Sequence, residues 1–227
     1  MSLRGRRSGS TSLAGVSDVV TEVVGRYLKE RLGVDPQRAS VTFLGVEPID
    51  VLRFAAVETP AVDTPAGEIP AVDALPAGQV LYVTSGCARH PMADPTDLHA
   101  DPVRGPRAEL VVRMRAGVPL PGLHKRMATM AAAPAVEGLI LAADALVDLG
   151  EPLWDGAAFT AVLLEADDLG EIVLPEPMDP VRMLRAVPIT ANEAAWVRLK
   201  GADALRDAWR EAGIDVTRPD RAAATPS

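Results

Sequence analysis

Three side chains able to bind a metal or attack a carbonyl lie close together in this sequence: Cys87, His90 and His99. Thiolate and imidazole are zinc ligands, and Cys87 with His90 also has the composition of a nucleophile and its base. Zinc would need a fourth ligand from Asp94, Asp97 or the distant His124, and ligand runs this short are unspecific. A lone cysteine ending an apolar run reads better as a small buried hydrophobe. No catalytic residue, metal or cofactor is therefore expected, with a Cys/His-dependent hydrolase or transferase as the alternative. The second constellation is Gly105-Pro106-Arg107-Ala108-Glu109-Leu110-Val111-Val112-Arg113, downstream of Tyr82-Val83-Thr84-Ser85-Gly86-Cys87. On a strand Arg107, Glu109 and Arg113 share one face, because side chains repeat every second residue. They read as a partner-binding strip or as a solvated ladder of charges. With Arg89 and His90 in the preceding loop, they form the candidate partner-binding set. Asp167 and Asp168, ahead of Gly170, read as turn residues that bond local backbone and not as acid catalysts.

The elements that position these residues follow from periodicity. Val19, Val20, Val23, Val24, Tyr27, Leu28 and Leu32 mark one helix face, with Ser17 as N-cap, Asp18 in the first turn and Gly33 as terminator. Residues 41–46 and 51–57 read as strands around a break at Glu47-Pro48. Pro60, Pro65, Pro70 and Pro76 follow at near-regular spacing, which reads as an extended connector. Strands are expected at 79–85 and 108–115, with a long loop over 88–106 between them. Connections of that length are commonly functional. Residues 122–133 carry a helical pattern. Residues 139–149 read as a strand between Gly-marked turns, although their alanine content suits a helix. Residues 159–164 and 181–187 are strands, and Thr190-Ala191-Asn192-Glu193 has capping-box spacing and starts a helix that Gly201 interrupts. Strands and helices segregate, so the expected class is α+β: one domain with a mixed, largely antiparallel sheet and flanking helices. The domain is expected over 16–221, after a disordered basic arm at 1–15 and before a flexible tail at 222–227.

Composition limits what the chain binds. Its 227 residues are 48% hydrophobic, enough for a full core, and 23 Lys and Arg against 31 Asp and Glu leave a formal charge of -8. Such a field repels phosphate, so nucleic acid is not an expected partner. One cysteine fits a reducing compartment, and with neither a signal peptide nor a 20-residue apolar run the expected location is the cytoplasm, away from membranes. There is no phosphate loop, G-x-S-x-G or H-E-x-x-H pattern.

The order Tyr82 to Cys87, Gly105 to Arg113, Met127-Ala128, Leu163-Leu164, the strand at 181–187, Thr190-x-x-Glu193, Gly201 and Arg221 resembles the suppressor-of-fused domain family over residues 75–221. That resemblance implies a non-enzymatic interaction domain without a metal site. Animal members clamp a short peptide of a transcription factor that adds as a strand, whereas stand-alone bacterial members act as immunity proteins against secreted toxins. Under this resemblance the chain is an immunity or antitoxin-like protein that sequesters a protein partner such as a secreted toxin module. Its acidic balance would speed capture of a basic partner.

Overall fold

The computed structural model describes residues 13–55, 75–94, 96 and 98–224. Most of the basic arm, most of the proline-rich connector and the last three residues of the tail lie outside the described residues. A seven-stranded sheet organises the rest, in the order β1-β2-β3-β4-β7-β6-β5. The strands are β1 (Gln37–Phe43), β2 (Val46–Ala55), β3 (Gln79–Ser85), β4 (Arg107–Arg115), β5 (Leu146–Asp148), β6 (Phe159–Ile172) and β7 (Val181–Thr190). The helices are α1 (Leu13–Leu32), α2 (Leu123–Glu137), α3 (Ala191–Lys200) and α4 (Ala202–Glu211). All pairs are antiparallel except β4 with β7, so the fold is the expected α+β with a mixed sheet.

Strand alternation sorts the core. On β4, Ala108, Leu110, Val112 and Met114 face α2, where they pack with Met127, Ala128 and Met130. Their alternates turn to the other face, where Val111 joins Leu81, Val83 and Met183 under Val20, Val24 and Leu28 of α1. The same face continues through Val187 and Ile189 to α3 and α4, which bury Ala194, Leu205 and Trp209. Helices thus cover both faces of the sheet, and β4 lies at its centre.

Four local expectations are corrected. First, α1 begins at Leu13 and not behind a Ser17 cap; the Ser17 hydroxyl lies inside the helix and donates to Glu47 Oε2 at 3.1 Å. Gly33 does end it, with φ 67° and its N–H on Lys29 O. Second, β1 and β2 turn at Leu44-Gly45 and not at Glu47-Pro48. A two-residue hairpin needs positive φ, which Gly45 supplies at 78°, and Pro48 lies within β2 beside an irregular register. Third, α2 runs past Pro134 to Gly138, a left-handed cap whose N–H bonds Pro134 O. Fourth, only Leu146–Asp148 of the 139–149 stretch pairs as a strand, because Asp144 takes φ 67° and breaks extended geometry.

Candidate functional site

The two sequence stretches singled out above meet in one buried assembly. Glu109 is 1% exposed, and its carboxylate accepts from Thr84 Oγ1 at 2.6 Å and from the backbone N–H groups of Gly86 and Ala88 at 2.8 and 3.1 Å. Thr84 Oγ1 in turn accepts from Leu110 N–H at 2.8 Å, locking β3 to β4. Two residues earlier, Arg107 is also 1% exposed and donates Nη1 to Ala88 O and Arg89 O at 2.6 and 2.8 Å, and Nη2 to Val103 O at 2.8 Å. Between them lies a single turn of 3-10 helix, Cys87–Arg89. The carboxylate takes the free N–H groups at its start and the guanidinium takes the carbonyls at its end, the polarity that unsatisfied helix ends require. Gly86 makes the entry possible: its φ is 130°, and a Cβ there would sit 3.0 Å from Arg89 Nη1.

The third member of the strip, Arg113, makes a bidentate pair with Asp167, Nε to Oδ2 at 2.7 Å and Nη2 to Oδ1 at 2.6 Å. Asp167 also accepts from Leu169 N–H at 2.9 Å, so its local bond is the expected one, but it is buried within an irregularity of β6 instead of lying in a surface turn. Arg107, Glu109 and Arg113 do share a face. It is not a solvated ladder, because β4 is central and α1 with the 3-10 turn covers it.

At the end of the turn His90 is accessible, whereas Arg89 keeps only 14% of its side chain exposed. His90 is exposed, and its Nε2 lies 3.3 Å from Glu47 Oε2. Arg89 lies 3.9 Å from the same carboxylate through Nε and donates Nη1 to Pro48 O. Met92 N–H bonds Pro106 O at 2.8 Å, closing the base of the 88–106 loop. A cleft of about 210 Å³ opens here, floored by Ile49, Cys87 and Ala131 and edged by Glu47, Arg89 and His90. In the sequence Glu47 is only half of an apparent break with Pro48; the pairing of β2 with β3 brings it within reach of His90.

Cys87 packs in the core against the α2 side of the sheet. Burial, and then the nearby Glu109, push its thiol well above the usual range, opposite to what a nucleophile needs. His90 turns to Glu47, and among the described residues no three His, Cys, Asp or Glu side chains group closely enough to hold a metal ion.

A second buried network joins Thr190-x-x-Glu193 to Arg221. The capping box is complete: Glu193 N–H bonds Thr190 Oγ1 at 3.3 Å and Thr190 N–H bonds Glu193 Oε2 at 2.9 Å. The same carboxylate accepts from Arg221 Nη1 at 2.8 Å, Trp209 Nε1 at 3.0 Å and Ala224 N–H at 3.0 Å. Arg221 lies 4.8 Å from the Phe159 ring centroid and 5.5 Å from that of Trp209, a cation–π geometry. The network fastens the C-terminal segment across β7.

The sheet order, the helices on both faces and the inward-turned charges define a mixed-sheet α+β scaffold whose ionic groups shape loops. The family model for the suppressor of fused protein (SUFU) matches residues 45–222. The chain belongs to the suppressor of fused family. Among solved structures it is similar to a putative SUFU homologue from Neisseria gonorrhoeae, with 19% identity, TM-score 0.61 and coverage of 92% of this chain and 97% of that one. It is also similar to Drosophila Suppressor of Fused, with 12% identity, TM-score 0.57 and coverage of 91% of this chain and 50% of that one. A Sufu–Fu complex matches at 12% identity and TM-score 0.57, covering 91% of each chain. At these identities the likenesses show the fold. No curated protein matches.

Proposed function

We propose that this chain is a non-enzymatic protein-binding domain that acts as an immunity or antitoxin-like protein in the cytoplasm, sequestering a protein partner such as a secreted toxin module. The observation that carries the reading is the division of labour around the 3-10 turn. Two buried ionic groups are consumed in fixing a surface loop, as rigid scaffolds do for recognition loops. Arg89 and His90 then touch the partner, while Arg107, Glu109 and Arg113 act through the scaffold as positioning residues. A relative solved as the Sufu–Fu complex supports protein binding as the mode. The formal charge of -8 supports a basic partner through electrostatic steering. The hydrolase alternative needs a reactive thiol, whereas burial pushes the Cys87 thiol well above the usual range.

The test uses the product of the neighbouring coding sequence. Co-expression should rescue cells from its toxicity, and the purified pair should bind about tenfold more weakly when the exposed His90 is replaced by Glu, with the melt unchanged. Rescue lost with Cys87→Ala at normal fold and affinity would favour the enzyme instead. Should that product be neither toxic nor bound, the immunity reading falls.

A further inference from the structure

The cleft beside the 3-10 turn has a size that discriminates among ligands. About 150 Å³ of apolar space holds a benzene ring, whereas small-molecule sites commonly span about 300–1,000 Å³. At about 210 Å³ this cleft has room for one large apolar side chain and too little for a substrate or cofactor of ordinary size. Above the floor of Ile49, Cys87 and Ala131, its walls are Gly45 and Val46 of the β1–β2 hairpin on one side and Pro134 and Ala135 of α2 on the other. The residues next to both walls are exposed and apolar. Leu44, at the hairpin tip, is fully exposed, and Val136, following Ala135, is 62% exposed. Such an apolar surface around a small hole is the form of an interface hot spot with its flanks.

The charge at the rim selects the neighbour of that side chain. Glu47 is half exposed at 51%, while the closest cation, Arg89, keeps only 14% of its side chain exposed and spends Nη1 on Pro48 O. Glu137 is exposed three residues beyond Pro134, a neighbouring position on the helix surface. The charged side chains at the cleft are thus the half-exposed Glu47, whose Oε2 also accepts from Ser17 Oγ and meets His90 Nε2, and the largely covered Arg89, with Glu137 close by on α2, in a chain with formal charge -8.

We infer that this cleft is an anchor site that receives one aromatic or large aliphatic side chain of a partner protein, next to a lysine or arginine of that partner drawn by Glu47 and Glu137. The inference deepens the protein-binding reading and rests on it. It also names the specificity determinants: Ala131, Ala135 and Ile49 for the anchor, and the two glutamates for the cation.

The full chain, labelled for amide NMR, is titrated with N-acetyl-phenylalanyl-lysinamide and separately with N-acetyl-phenylalanyl-glutamic acid amide. The lysine dipeptide should shift the amides of Val46, His90, Ala131 and Ala135 in a saturable way. The glutamate dipeptide should bind about two- to fivefold more weakly, the range that exposed ion pairs give. Glu47→Gln with Glu137→Gln should erase that preference without abolishing the shifts, and Ala135→Trp should abolish the shifts for both. Should Ala135→Trp melt early, Ala135→Met, a smaller intrusion at the same exposed wall position, should weaken the binding of both dipeptides. Shifts that map elsewhere, or persist unchanged in the occluding variant, overturn the site. A partner that binds Ala135→Trp as well as wild type removes the cleft while leaving the protein-binding function standing. Saturable dipeptide binding in a protein with no toxin partner does the reverse.

Discussion

Glu109 and Glu193 are both fully buried carboxylates that each gather several hydrogen bonds, yet their environments drive them in opposite directions. Burial raises Glu109 above the ordinary 4.5, and the bonds from Thr84, Gly86, Ala88 and Cys87, all from neutral groups, offset only part of that. Burial pushes on Glu193 as well, but Arg221, with Ala224, Thr190 and Trp209, outweighs it and holds the carboxyl below 4.5. A guanidinium in contact makes the difference, since neutral dipoles repay desolvation less completely than a fixed opposite charge. The two sites serve different ends accordingly. The Arg221 network ties the C-terminal segment to the sheet, whereas the Glu109 assembly holds a surface turn in one shape.

The largest effect is expected at the ion-paired site. Arg221→Ala leaves Glu193 charged and buried without its partner and should cost about 3–5 kcal/mol in chemical denaturation. A loss below about 1 kcal/mol would mean that the pair is solvated and the contrast false. Glu109→Ala should cost less, about 2–4 kcal/mol, through unsatisfied N–H groups at Gly86 and Ala88. It should also speed hydrogen exchange at those amides more than elsewhere, which a uniformly weakened fold would not show.

The contrast sharpens with pH. A depressed carboxyl such as Glu193 contributes stability that is present above pH 4.5 and lost as pH falls through its folded value. A raised one such as Glu109 does the opposite, since the folded state holds its proton longer and stability declines as pH rises from 4.5 through the folded value. The penalty of Glu193→Gln relative to wild type should therefore grow with pH, and that of Glu109→Gln should shrink. Parallel denaturation series from about pH 3 to 8 read both; the same trend for the two variants would break the comparison. The smallest effect belongs to Cys87, where Ala should cost about 1 kcal/mol as a small core truncation. A chelator should leave the wild-type melting temperature where it is.

Legibility followed sequence distance. Thr190 and Glu193 form their capping box three residues apart, so type and spacing foretold the geometry, and Gly33 and the alternation of β3 and β4 were equally local. Glu109 was visible as a charge in an apolar strand, but its burial was not, because only the covering of β4 by α1 and the 3-10 turn takes it from water. Asp167 showed its local bond and hid its pairing with Arg113, 54 residues away. Pro48 is the stronger-looking breaker, yet Gly45 makes the turn, since the positive φ that a tight hairpin demands leaves no trace beyond the glycine itself. Glu47 showed only as half of an apparent break with Pro48, with nothing to tie it to His90.

Periodicity, turn chemistry and composition alone thus determined the helices, most of the strands, the α+β class and the acidic balance, all properties set within a few residues or by simple sums. Tertiary structure decided which strands are neighbours, and with that which charges are buried. The parallel pairing of β4 with β7 puts Arg107 and Glu109 at the centre of the sheet. There the absence of water turns a surface-looking strip into the support of a loop.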